Sequence, residues 1–288
     1  MRATDMPERR KRIIRLSLLA VFLLVVSLGV WSILIEPNRL VVRQETIEIK
    51  SWPHELSGLR IALISDIHAG GSFIDEKKLQ QIVATTNALN PDLIVMLGDY
   101  MSQSTWHGHE IAPEVIAANL KQLRAPLGVY GVLGNHDWWY NGDKVRRAFA
   151  AAGMRILEDE VVEVKWRQGS FWLVGLADKW TRPQHIDETI AKVPSGLPII
   201  ALTHNPDIFP KLPKAVPLLL AGHTHGGQVN LPLIGTPVTP SDYGRRYAAG
   251  HIFENEHHLF VTSGIGTSIL PVRFRVPPEI VILTLKSE

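Results

Sequence analysis

Cysteine is absent from all 288 residues. Without thiols there is no disulfide and no thiolate ligand, so any bound metal must be held by imidazole, carboxylate or amide oxygen. Net charge is also small: 30 Lys and Arg against 28 Asp and Glu leave +2, part of it from Arg9, Arg10, Lys11, Arg12 and Arg15. So small a balance offers no basic field to a polyanion; no stable nucleic-acid partner is expected, and nucleic acid enters only as a substrate class. The chain has no internal repeat and no low-complexity tract, which excludes repeat architectures and extended disorder. The remaining composition, 45% hydrophobic and 20% charged, is that of one large folded domain with a substantial core.

Charge is missing altogether from Leu16 to Ile35, LSLLAVFLLVVSLGVWSILI. At 1.5 Å per residue a helix of this length crosses ~30 Å of hydrocarbon, and Trp31 stands where an interfacial ring belongs. A buried helix of a soluble core rarely goes so long without a charge. The basic cluster just before the run places the N-terminus in the cytoplasm and the remaining chain outside. No small-x-small cleavage site lies near Ile35, so an uncleaved anchor is expected rather than a removable signal peptide. Arg9-Arg10 begins like a twin-arginine signal, but Arg12 stands where that signal usually carries an apolar residue. The expected division is a basic segment 1–15, a transmembrane anchor 16–35, a linker with an edge strand (Thr46 to Lys50) over 36–58, and a main domain 59–288. Glu36-Pro37-Asn38 ends the anchor helix.

From Leu59 onward, short apolar runs alternate with helical periodicity. Strands are expected at Leu59 to Ile64, Asp92 to Leu97 and Gly128 to Leu133, with helices at Glu76 to Leu89 and Glu110 to Leu123 between them, a βαβαβ unit. A helix around Lys144 to Ala151 is followed by Val161 to Trp166 and Phe171 to Leu176, a hairpin turning at Gln168-Gly169. Further strands are expected at Leu197 to Leu202, Leu218 to Leu220, Leu259 to Thr262 and Ile280 to Leu285. The class is α/β.

Five segments that follow such runs carry the chemistry: Asp66-Ile67-His68, Gly98-Asp99, Gly134-Asn135-His136-Asp137, Thr203-His204-Asn205 and Gly222-His223-Thr224-His225. A strand delivers its last side chains to the end of a sheet, so donors far apart in sequence can converge there and surround two metal ions. Asp66 and His68, two apart just past a strand, can turn toward one ion. Asp99 is the only carboxylate of its segment and a natural bridge between two. Asn135 offers a neutral carbonyl oxygen, and the glycines before Asp99, Asn135 and His223 permit sharp turns.

The ordered set D-x-H, G-D, G-N-H-[DE], H, G-H-x-H, spread over about Leu59 to Val229, resembles the signature of the calcineurin-like binuclear metallophosphoesterases, and most of all their bacterial membrane-associated phosphodiesterases. The resemblance implies a four-layer α/β/β/α sandwich with two mixed β-sheets. It implies two divalent ions, Mn, Fe or Zn, one held by Asp66, His68, Asp99 and His225 and the other by Asp99, Asn135, His204 and His223. Such a pair, roughly 3.5–4 Å apart, clamps a phosphoryl group for in-line displacement. The family also implies that His136 stabilises the transition state or protonates the leaving oxygen; Asp137 is expected to fix the His136 tautomer and raise its pKa. Ser102 stands where many members carry a second Asp, so the protein serine/threonine phosphatase pattern is absent.

The expected activity is hydrolysis of a phosphodiester or pyrophosphate by a metal-dependent enzyme on the inner membrane, its catalytic domain extracytoplasmic. The substrate is a phosphate ester, with a lipid-linked one such as UDP-diacylglucosamine suggested by the anchor. A broad nucleotide phosphodiesterase and a non-catalytic metal-binding interaction protein are the competing functions. Among the other residues, His107 and His109 read as solvated loop residues. Trp138, Trp139 and Tyr140 either line the cleft or pack beside it. Arg273 and Arg275 either contact phosphate or face water.

Overall fold

A computed structural model describes residues 7–103 and 108–288; His107 lies outside them. The order of elements follows the periodicity of the sequence. A first helix, α1 (Glu8–Val30), continues through a π turn (Trp31–Ile35) into a 3-10 turn (Glu36–Asn38) that carries Pro37. None of α1 is buried. By length and composition it is apolar enough to cross a membrane.

The remaining chain builds two six-stranded mixed sheets. The first contains β1 (Val41–Ile49), β2 (Leu59–Ile64), β3 (Leu93–Met96), β4 (Val129–Gly131), β5 (Arg155–Ile156) and β12 (Glu279–Ser287), in the order β1-β12-β2-β3-β4-β5. The second contains β6 (Glu160–Trp166), β7 (Gly169–Gly175), β8 (Ile199–Leu202), β9 (Leu218–Ala221), β10 (Gly250–Glu254) and β11 (His257–Val261), in the order β10-β11-β9-β8-β7-β6. Strands β2 to β5 run parallel, as do β7, β8, β9 and β11. Their C-terminal ends meet at one rim, and the candidate ligands follow them.

Side-chain alternation sets the layers. Leu59, Ile61 and Leu63 of β2 point toward Phe171, Leu173, Ile200 and Leu218 of the second sheet, forming the central core. Ala62 and Ile64 point the other way, onto α2 (Glu76–Ala88), α3 (Pro113–Leu120) and α4 (Asn135–Ala151) through Leu79, Ile82, Ile116 and Phe149. The outer face of the second sheet, Ile199, Ala201 and Leu219, is covered by Ile186 and Ile190 of α5 (Ile186–Ile190) and by Ile208 and Phe209 of a 3-10 turn. Helix, sheet, sheet and helix make the four layers expected.

Several boundaries moved for physical reasons. Helix α3 begins at Pro113 rather than Glu110, since proline's fixed φ and missing N–H suit the first helical position. Helix α4 begins at Asn135, directly on the ligand segment, because Asp137 in its first turn accepts the Gly134 N–H at 2.9 Å; an extended Asn141 then divides it. The β6–β7 hairpin turns at Arg167-Gln168, with Trp166 paired to Gly169, one residue before the expected turn. Arg167 supplies the positive φ, 53°, that the chain direction needs there. The expected edge strand forms, but β1 begins at Val41, five residues before Thr46, and pairs with β12 over nine residues.

Candidate active site

The rim brings all seven expected ligands together. Asp66, His68 and His225 form one group whose donor atoms lie within 4.8 Å of one another, and Asp99, His204 and His223 form another. The Asp99 carboxylate connects them: its Oδ2 lies 3.6 Å from His68 Nε2 and 3.2 Å from His204 Nε2. In the first group His225 Nε2 is 3.3 Å from Asp66 Oδ1 and 3.1 Å from His68 Nε2. In the second, His223 Nδ1 is 3.2 Å from His204 Nε2. Asn135 Oδ1 is buried with no hydrogen-bond partner among the described residues, and so is His223 Nε2. A bare acceptor among imidazoles and carboxylates fits a cation.

The tautomers follow from the backbone. His204 Nδ1 lies 2.7 Å from the Leu97 carbonyl and His68 Nδ1 3.2 Å from that of Met101. A carbonyl only accepts, so both Nδ1 atoms carry hydrogen and both Nε2 atoms are turned toward the site, His68 as a neutral ring with a free lone pair and His204 against the Asp99 carboxylate. Backbone conformation adds to the aim: Asp66, His68, Asp99, His223 and His225 have φ between 48° and 70°, a left-handed conformation unusual outside glycine. Each such residue stores about 1–3 kcal/mol, held by the surrounding packing.

Burial perturbs the titration of these groups. It pushes Asp66 up to about 6 and His68 down to about 3, and drives His223 and His225 well below the usual imidazole range. For His204, burial is outweighed by the adjoining Asp99 carboxylate, and the pKa rises to about 10. The same pairing, against the effect of burial, holds Asp99 well below the usual carboxylate range.

His136 faces the cleft. Its ring stands edge-on to His68, with centroids 4.7 Å apart, and its Nε2 is 3.4 Å from Ser268 Oγ. Burial lowers its pKa, so the ring is neutral at neutral pH. The expected partnership with Asp137 does not form. Asp137 accepts four backbone N–H groups instead, Tyr100 and Met101 on Oδ1 and Asp99 and Gly134 on Oδ2, at 2.8–3.0 Å. Its carboxylate ties the Asp99 loop to the start of α4, while His136 Nδ1 has no hydrogen-bond partner among the described residues.

The cleft over the site encloses about 770 Å³. Trp139 is half exposed and 4.9 Å from the His136 ring, so it lines the cleft; Trp138 instead packs against Arg182, and Tyr140 packs against the core. Ser102 also lines it, and His109 is exposed. Arg273 is fully buried, its guanidinium donating to the carbonyls of Ser263, Gly264, Gly266 and Val276 and lying 3.5 Å from His225 Nδ1. It braces a metal-side loop and does not face solvent; Arg275 does.

Three residues of the site escaped the sequence reading. Asp178 follows β7, is fully buried, and caps the next turn through Oδ2, while Oδ1 has no hydrogen-bond partner among the described residues. Its segment, Phe171 to Asp178, repeats the pattern of an apolar run, a small residue and a carboxylate, which was the available signal. Trp180 stands edge-on to His223 at 4.3 Å and stacks on Trp139 at 6.3 Å. Ser268 reaches His136 from a glycine-rich segment with no motif of its own.

Fold and site together define a two-cation hydrolase of phosphate esters. Residues 59–227 match the family model of the calcineurin-like phosphoesterases, and the chain belongs to that family. It is 32% identical over 256 residues to the metallophosphoesterase YkuE of Bacillus subtilis, covering 88% of each chain. It is 29% identical over 234 residues to the phosphodiesterase YaeI of Escherichia coli, covering 78% of this chain and 82% of that one. A transmembrane protein with a metallophosphoesterase domain from Danio rerio is 28% identical over 256 residues, 83% of this chain and 56% of the other. The family binds two divalent metals, and the chain is a metal-dependent phosphoester hydrolase.

Proposed function

We propose that this chain is a membrane-anchored phosphodiesterase or pyrophosphatase whose two cations are held by Asp66, His68, Asp99 and His225, and by Asp99, Asn135, His204 and His223. The observation that carries this reading is the position of Asp99 Oδ2 between His68 of one donor group and His204 of the other. Mn, Fe and Zn all suit a set of imidazole and oxygen donors. Bound in pairs, such ions supply Lewis-acid polarisation and positive charge for a phosphoryl group.

The chain's own residues do the rest. The neutral His136 ring donates an N–H hydrogen bond from the cleft side to an oxygen of the phosphoryl group, stabilising the charge that develops there, with Ser268 beside its Nε2. Asp137 acts through position, fixing the Asp99 loop against α4. Trp139 and Trp180 form an aromatic wall that keeps water from the second donor group. The same wall favours a second reading, a nucleotide phosphodiesterase in which a base stacks on Trp139, half exposed in the cleft.

The anchor, residues 16–35, holds the site near a bilayer and suggests a lipid-linked substrate such as UDP-diacylglucosamine. The family resemblance to a relative named as a transmembrane protein supports the anchor. Turnover by the full chain with Mn, compared across phosphomonoesters, a nitrophenyl phosphodiester, cyclic nucleotides and a lipid pyrophosphate, tests the reading. Hydrolysis of the diester or pyrophosphate, abolished in Asp99→Asn, is expected; cyclic nucleotides turned over in preference would select the second reading, and no turnover at all would end both.

A further inference from the structure

The anchor enters the domain at the end where the ligands lie. Strand β1 runs parallel to β12, and β12 antiparallel to β2, so β1 begins beside the point where β2 delivers Asp66. Only the 3-10 turn and two further residues separate Ile35 from Val41.

That junction is fastened to the cleft. The Arg273 N–H donates to the Ser32 carbonyl at 3.0 Å. The buried Glu36 carboxylate accepts the Val276 N–H at 2.8 Å and the Trp31 indole N–H at 2.6 Å. The segment so held, 267–276, is the one that lines the cleft with Thr267, Ser268, Ile269, Leu270 and Val272. From the helix carbonyl of Ser32 to the ring of His136 the path therefore runs through a single loop.

The loop presents apolar side chains to the outside. Ile269 is 81% exposed and Leu270 55%, and across the cleft mouth Val238 is 72% exposed. A neighbouring hairpin carries exposed Leu233 and Ile234 at its tip, and its stem joins the same loop through the Val229–Phe274 bridge. Gln228 ties the two together, accepting from Ser268 N–H at 2.7 Å and donating to the Leu270 carbonyl at 3.2 Å. Scattered exposed aliphatics are ordinary, but these adjoin the base of a helical stretch, 16–35, that is free of charge on every face.

We propose that the mouth of the cleft docks on the bilayer from which α1 emerges, with Ile269, Leu270 and Val238 as an apolar lip in the interface. The occupant of this surface is lipid, and the phosphoester reached is one at headgroup depth, attached to an apolar tail. This rests on the reading of α1 as a membrane span, and it adds a contact which that reading does not require.

The absence of native cysteine makes a direct test clean. Single cysteines at Val238, Ile269 and Leu270, and at Lys121 on the opposite end of the first sheet, are labelled with a polarity-sensitive fluorophore. The full chain is then placed in nanodiscs of phosphatidylethanolamine and phosphatidylglycerol, with and without spin-labelled lipid. Emission at 238, 269 and 270 is expected to shift to the blue and to be quenched severalfold more strongly than at 121. Labels at 269 and 270 as wet and unquenched as the one at 121 would overturn the proposal. So would blue-shifted labels that the spin-labelled lipid does not reach, which would indicate contact with a second copy. Hydrolysis of a soluble nitrophenyl phosphodiester in the same discs reports separately on the enzyme reading, which can fail while the lip stands.

Discussion

Asp99 and His204 set the proton balance of the site. With a pKa raised to about 10, His204 keeps its second proton at neutral pH in the cation-free chain, and a cation must displace it to reach the Nε2 lone pair. Below pH 10 this competition costs about tenfold in affinity for each pH unit lowered. Calorimetric titration with Mn at pH 7 in buffers of different ionisation enthalpy is expected to show about one proton released. The sign for stability is the reverse: a raised imidazole pKa contributes folding energy to the cation-free protein that is present below about 6.5 and lost as pH rises through 10. Asp137 works by accepting hydrogen bonds. Asp137→Asn turns one acceptor oxygen into a donor and leaves two buried N–H groups facing it, at about 1–3 kcal/mol each. An unfolding free energy from urea titration lowered by at least about 2 kcal/mol is expected; an unchanged value would show that the four bonds are not holding the loop.

At the level of elements, close approach decides where a side chain is tolerated. A Cβ on Gly222, at the end of β9, would overlap Ser65 Oγ and sit 2.5 Å from Asp66 Oδ2. Gly222→Ala should therefore displace Asp66, lowering metal content by about one equivalent in elemental analysis while the circular-dichroism spectrum holds. That glycine was visible in the sequence only as a hinge before His223. The strands leading to ligands were legible because buried parallel strands read as unbroken apolar runs, as in Leu93–Met96 and Leu218–Ala221. Strand β5 has two residues and α5 five, too short for any period to declare itself. Helix α4 was half legible: residues 135–141 lack an apolar stripe, and their helix is set by the Asp137 cap. The residues that converge on the rim were readable from spacing and family likeness, whereas the contacts of Asp137 depended on four backbone groups that no motif records.

At the scale of the whole molecule, the proposed orientation rests on the basic residues ahead of α1. They favour a cytoplasmic N-terminus and an extracytoplasmic site, whereas a UDP-linked lipid precursor would be cytoplasmic. Alkaline phosphatase fused after Glu288 is expected to be active and β-galactosidase at the same point inactive; the opposite pattern would reverse the topology. On the proposed anchoring, the short junction at Glu36 has a kinetic meaning. An enzyme tethered on a long arm samples a volume, but one joined to its span by a few residues moves only as its helix diffuses laterally. Its encounter rate would track the mole fraction of substrate in the leaflet, and diluting the membranes in more buffer would leave it unchanged.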